Sequence, residues 1–249
     1  MFDVASRDEV ERFLVRLAEE DSRITAAAVV GSRAHTAGDR WSDIDLTLAV
    51  EDETAPVDIL DEWQAKLAED FGATALFDLA PGPIIYRVFL LRGALQVDLS
   101  VTPASRFAAR GETFRLLFGN VATEPVRQRR RAGTDIFGHA VHHAVRARVC
   151  IERGRALQAE YWISGLRNEA LTLTSRREGV QEWYARGAHL LPANTRERYA
   201  DALVRSLDPA ELERALEAAI SLLLDESDQA PEIASQVGSQ LRALMKSGR

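Results

Sequence analysis

Asp43 and Asp45 stand two apart in the segment WSDIDLTLAV, and Asp98 stands in ALQVDLSV. In an extended chain, side chains at i and i+2 leave the same face, with Cα atoms roughly 6.6 Å apart. The first two carboxylates therefore converge, while Ile44 between them turns to the core. Asp98 lies in a second run of the same alternation, with Leu95, Val97, Leu99 and Val101 on one face and Gln96, Asp98 and Ser100 on the other. If the two strands are neighbours, three carboxylates gather. Such a cluster repels itself, and divalent cations are its natural compensation. Magnesium takes few protein carboxylates and completes its octahedron with waters and substrate phosphates. Two such ions about 4 Å apart hold both the attacking and the leaving oxygen of a phosphoryl-type transfer.

Gly31-Ser32 precedes this pair, at the end of the apolar run AAAVV. Glycine lets the backbone approach a phosphate closely because it has no Cβ. A helix beginning at Ser32 would aim free N–H groups at an anion, and the hydroxyl would add a donor. Arg33 and Arg40 are close enough in sequence to neutralise further phosphate charge. Each feature has a bland reading: serine is a common N-cap, and a strand aspartate can be a solvated residue on a polar face. Three aspartates on polar faces of otherwise apolar strands, after a G-S turn, favour the chemical reading, since aspartate is disfavoured within strands.

The elements that must position these residues follow from the hydrophobic pattern. Ser6-Arg7-Asp8-Glu9 has the form of a helix start, with Val10, Phe13, Leu14 and Leu17 following at helical spacing. Ala26 to Val30 reads as a buried strand. Ile44, Leu46, Leu48 and Val50 alternate as a strand does. Val57 to Asp70 reads as a helix with Ile59, Leu60, Trp63 and Leu67 as its stripe. A turn at Pro81-Gly82-Pro83 leads to a strand over Ile84 to Leu91, and Arg92-Gly93 turns into another over Ala94 to Val101. The character changes near Pro125, where Arg127 to Arg131 forms a basic stretch read as a solvated linker. From Thr134 the chain reads as helical, one helix ending near Gly154, one over Ala156 to Arg177, one starting at Asp208-Pro209, and a last one beyond Ser227 to Pro231. The expectation is an α+β protein: a catalytic domain with a mixed sheet and flanking helices over 1–125, then a helical bundle over 126–249.

Gly31-Ser32, then Asp43-x-Asp45, then Asp98 resembles the signature of the nucleotidyltransferase superfamily that includes DNA polymerase β. The closer likeness is to bacterial antibiotic nucleotidyltransferases acting on aminoglycosides or lincosamides, which also join such a domain to a helical bundle. The motif match covers residues 24 to 101, and the likeness of the bundle is one of architecture. The resemblance makes Gly31 and Ser32 the triphosphate turn, Asp43 and Asp45 the metal ligands, and Asp98 the third ligand and a candidate general base. It implies two Mg²⁺ ions, ATP or another NTP as co-substrate, and transfer of a nucleoside monophosphate to a hydroxyl of a small molecule. Some relatives complete their sites across a dimer, so a homodimer is expected.

Glu160 and Tyr161, in QAEYWISGLRNEAL, are the acceptor-side candidates. Some antibiotic nucleotidyltransferases resemble this chain in having a helical-domain carboxylate, which they use as base. The plainer reading makes Glu160 a solvated helix acid, and Tyr161 and Trp162 core residues beside Leu157 and Leu166. His139 and His143 share a helix face, but without an H-E-x-x-H pattern or a cysteine pair they read as packing or polar-face residues rather than zinc ligands. Cys150, the single cysteine, reads as an inert packing residue.

A net charge of −7 argues against a surface for long nucleic acid. No apolar run approaches a membrane span, and the first residues are acidic where a secretory signal is basic and then apolar. A cytoplasmic protein is expected. Two competing functions are kept. One is protein AMPylation of the kind carried out by minimal nucleotidyltransferases paired with toxins. The chain lacks an R-x₄₋₆-H toxin motif, since Arg186 precedes His189 by three positions. The other is a non-catalytic nucleotide sensor, which has no need of a proton acceptor such as Asp98.

Overall fold

Asp3 opens the first helix, α1 (Val4–Glu20): its carboxylate accepts the backbone N–H of Ser6 at 2.7 Å. The helix therefore starts before Ser6, because Asp3 supplies the capping oxygen that the sequence pattern assigned to Ser6. Arg7, Val10, Leu14 and Ala18 form its buried face. The computed structural model describes residues 1–34, 39–80, 82–109, 113–122 and 130–245. It divides into two units, Met1–Arg129 and Arg130–Arg249. The boundary expected after residue 125, and Pro81, Pro125 and Arg127 to Arg129 of the turn and linker readings, lie outside the described residues.

In the first unit α1 is followed by β1 (Ile24–Val30), β2 (Ile44–Val50), α2 (Pro56–Phe71), β3 (Thr74–Leu79), β4 (Ile85–Leu91), β5 (Leu95–Pro103) and β6 (Phe114–Phe118). The strands make one mixed sheet in the order β3-β4-β5-β2-β1-β6. All pairings are antiparallel except β2 with β5. Parallel neighbours need a crossover, and α2 with the β3–β4 hairpin provides it.

Ile44, Leu46, Leu48 and Val50 alternate toward α1 and α2, and Val97, Leu99 and Val101 follow in register on β5. Ile59, Leu60, Trp63 and Leu67 of α2 close this core. Each such side chain contributes roughly 1.5–3 kcal/mol when taken fully out of water. Gly72, at φ 65, ends α2 with its N–H on Ala68 O at 3.0 Å. On the other face, Ala26, Ala28, Ala49 and Phe107 form a small cluster at one end. The rest of that face carries Asp45, Thr47, Asp98 and Ser100, the positions that alternate with the core residues.

Two strands were not foreseen. In β3 five of the six residues are exposed, and β6 is an edge strand, so neither shows the alternation that a half-buried strand imprints. The expected turn at Arg92-Gly93 is present as a short 3₁₀ segment over Arg92–Ala94, with Gly93 at φ 73.

The second unit is helical: α3 (Gly133–Glu152), α4 (Ala156–Arg177), α5 (Ala193–Asp201), α6 (Pro209–Leu224) and α7 (Pro231–Leu244). Small residues, Ala140, Ala144 and Ala147 on α3 and Ala159 and Ala170 on α4, are fully buried in its core with Ile163, Leu166 and Leu173. Glu226 is buried there too. It accepts hydrogen bonds from Thr174 Oγ1 at 2.6 Å, Gln229 Nε2 at 2.7 Å and Arg177 Nη2 at 3.0 Å. A buried carboxylate persists when it is paired and hydrogen-bonded in this way. Cys150 is buried in the same core. The polar helix α5 was not foreseen, because only Tyr199 of its residues is buried. Among the described residues no helix is long and apolar enough to cross a membrane.

Candidate metal centre

β2 and β5 run parallel with Asp45 directly opposite Asp98. Asp43 lies one residue before β2 rather than within it. One carboxylate oxygen from each of Asp43, Asp45 and Asp98 lies within 4.8 Å of the others, and all three residues are half-buried. Charges at that spacing repel by about 3 kcal/mol per pair at an effective dielectric of 20. Two oxygens on one octahedral magnesium are about 3 to 4 Å apart. The spacing and the all-oxygen donor set therefore fit magnesium, with small closure, better than a soft metal. Gln96 donates its side-chain N–H to Asp98 Oδ1 at 2.9 Å, which fixes that carboxylate on the strand face.

Gly31 sits against this cluster. Its φ is 69, and a Cβ built on it would stand 2.0 Å from Asp45 Oδ2. Only glycine combines that left-handed backbone with that contact. Gly31 opens a single 3₁₀ turn, Gly31–Ala34, in place of the helix expected at Ser32. Ser32 is exposed, and its hydroxyl donates to Ser42 Oγ at 3.0 Å.

The segment leading to Asp43 is held by groups that the sequence reading did not single out. Ser42 Oγ accepts the Asp39 N–H at 2.9 Å, and the Asp39 carboxylate accepts the Trp41 N–H at 2.8 Å. Arg7 reaches in from α1. Its Nη1 donates to the Asp39 carbonyl at 2.7 Å and more weakly to the Ser42 carbonyl at 3.5 Å. Arg7 is 4% exposed, so these bonds are made away from water. The available signal was its position: Arg7, Val10 and Leu14 share the apolar spacing of α1, where a cation is out of place unless it has partners. Arg7→Leu is expected to lower stability by about 2 kcal/mol, the scale of losing hydrogen bonds to a charged donor. It should also weaken Mn²⁺ binding several-fold by freeing Asp43. Thermal unfolding and a Mn²⁺ titration check both; unchanged Mn²⁺ affinity in a folded variant would contradict the pinning role.

Arg33 and Arg40, expected beside phosphate, have other partners. The Arg33 guanidinium pairs with Asp8, at 3.2 Å, and with Glu11, both on α1. Arg40 is exposed and stacks over Trp41, 4.0 Å from the ring centre.

The acceptor-side candidates lie on α4. Glu160 accepts the Ser164 hydroxyl at 2.6 Å, and Ser164 Oγ accepts Arg167 Nη2 at 3.2 Å. Burial pushes the Arg167 guanidinium below its usual range, and the nearby Glu160 charge opposes that shift. Tyr161 is 65% exposed, with its ring edge-on to Trp162 at 5.0 Å, so the core reading fails for it and for the exposed Leu157. Trp162 alone of the pair packs on the helical core. His139 is exposed and contacts Arg131 Nη2 at 2.7 Å. His143 stacks near Trp162, at 5.2 Å, and burial lowers its pKa. Among the described residues the only cluster of three metal-ligating side chains is the aspartate trio.

No protein family model and no curated protein matches the chain. Among solved structures it is similar to the crystal structure of an aminoglycoside 6-adenyltransferase from Bacillus subtilis, at 13% sequence identity and a TM-score of 0.42. That similarity covers 97% of this chain and 99% of that one.

Proposed function

We propose that this chain is a magnesium-dependent nucleotidyltransferase that moves a nucleoside monophosphate, AMP in the first instance, from an NTP to a hydroxyl of a small molecule. The observation that carries this reading is the convergence of Asp43, Asp45 and Asp98 within 4.8 Å, with glycine backbone packed directly on Asp45. Asp43, Asp45 and Asp98 would hold Mg²⁺. When bound, that metal neutralises phosphate charge and orients the triphosphate. Gly31 leaves the Asp45 carboxylate its place in the trio, where any side chain would displace it, and Ser32 offers a hydroxyl at the same turn.

The reaction balances simply. The acceptor oxygen forms a bond to the α-phosphorus, the bond between that phosphorus and the bridging oxygen breaks, and pyrophosphate leaves with the bonding pair. The acceptor's proton passes to Asp98, the strand carboxylate farthest from the Gly31 turn in the sheet order. The chain's own contribution is positioning and fixed charge. Incubation with ATP labelled at the α or the γ phosphorus tests the reading. The α label should appear on a small-molecule acceptor and the γ label in pyrophosphate. Release of γ label as inorganic phosphate would contradict it, and α label on protein alone would favour protein AMPylation.

A further inference from the structure

We propose that the acceptor hydroxyl is carried by a molecule with an apolar or aromatic part, which lies on a shelf formed by β3 and β4 beside Asp98. This inference rests on the transfer reading above and names the class of its second substrate.

Strand register builds the shelf. Asp45 pairs with Asp98, Asp98 with Val88, and Val88 with Phe77. Paired residues of adjacent strands point to the same side of a sheet. One row across the open face therefore passes from two carboxylates to valine and phenylalanine. The next row runs Thr47, Ser100, Tyr86, Leu79. At about 4.8 Å per strand, Phe77 stands about 10 Å from Asp98, within the span of a small molecule. Val88 is buried, yet Phe77 and Leu79 are 52% and 56% exposed. Neighbouring exposed apolar side chains beside a carboxylate cluster offer contact area to an apolar ligand.

Their exposure is held in place from the opposite face. Asp78 lies between Phe77 and Leu79, and its carboxylate receives Arg87 Nε and Nη2, each at 2.8 Å. Arg87 also donates to Asp61 of α2 at 2.6 Å and holds the Asp78 carboxyl below the usual range. With Asp78 tied toward α2, Phe77 and Leu79 are committed to the open side.

The direction of the reaction selects the occupant. In an in-line displacement the entering and leaving oxygens sit on opposite sides of phosphorus. Gly31 and Ser32, where the leaving pyrophosphate is held, follow β1, beyond β2 from β5. The entering hydroxyl then approaches over β5 and β4, next to Asp98, and the molecule that carries it extends across Val88, Phe77 and Leu79. Positions 77, 79, 86 and 88 carry no charge, so beyond Asp98 this shelf offers apolar contact rather than ion pairs.

The test uses the full chain, Mg²⁺ and α-labelled ATP with two acceptor panels: hydroxylated compounds bearing an alkyl or aromatic part, and polyamino sugars bearing none. Label is expected on the first panel. Phe77→Ser and Leu79→Ser should each raise the KM of the labelled acceptor at least tenfold, with kcat and the KM for ATP within twofold of wild type. Phe77→Leu should restore most of the loss. Label confined to polyamino sugars, unchanged acceptor KM in both serine variants, or a rise in the KM for ATP instead would each overturn the proposal. Label on neither panel overturns it as well. The fate of the label then separates the two failures: α label passed to some other acceptor spares the transfer reading, and ATP retained with Mg²⁺ in equilibrium dialysis without transfer to any acceptor removes both and favours the sensor.

Discussion

Asp43→Asn and Asp45→Asn should each abolish transfer while leaving the protein folded. The substitution is nearly isosteric, so the core behind Ile44 and Leu46 is undisturbed. It removes one charge from a trio whose oxygens lie within 4.8 Å of one another. In the loaded protein it removes a metal ligand and the charge that matches it. A loss of at least a thousandfold in kcat/KM is expected, equivalent to about 4 kcal/mol of transition-state stabilisation. Thermal unfolding without metal should show a cooperative transition within a few degrees of wild type. A variant with full activity, or one inactive only because it has unfolded, would contradict the assignment.

Gly31→Ala should be nearly as damaging by a different route. Alanine in a left-handed backbone costs roughly 1–2 kcal/mol. The new methyl would also stand 2.0 Å from Asp45 Oδ2 and 2.9 Å from Cγ, so that carboxylate must move. Transfer should fall at least a hundredfold. The Tm should fall by several degrees, since 1 kcal/mol shifts a protein of this size by roughly 2–4 °C. A double-mutant cycle isolates the contact: in an Asp45→Ala background the stability cost of Gly31→Ala should shrink to the backbone part. An identical cost in both backgrounds would show that the two residues do not meet.

Much of this architecture was legible because it rests on period. The alternation from Ile44 to Val50 and from Leu95 to Val101 fixed both the buried face and the side from which Asp45 and Asp98 project. The stripes of α2 and the extent of α4 were legible for the same reason. What escaped leaves no periodic signal. β3 keeps its large apolar residues exposed, so burial leaves no pattern in its sequence. Asp43 stands outside β2, so its approach to Asp45 depends on the loop that precedes it, not on strand geometry. That loop is pinned by Arg7, whose partners there are backbone carbonyls more than thirty residues away, and backbone carbonyls carry no residue signature. Arg33 has its ion pairs on α1, a long-range choice that proximity to Ser32 could not reveal.

The most direct test of the central claim is a Mn²⁺ titration followed by electron paramagnetic resonance, with a non-hydrolysable ATP analogue present. The account predicts that the wild-type chain takes up Mn²⁺ together with nucleotide, and that Asp98→Asn weakens this at least tenfold with the fold intact. Equal Mn²⁺ affinity in wild type, Asp43→Asn and Asp98→Asn would contradict it.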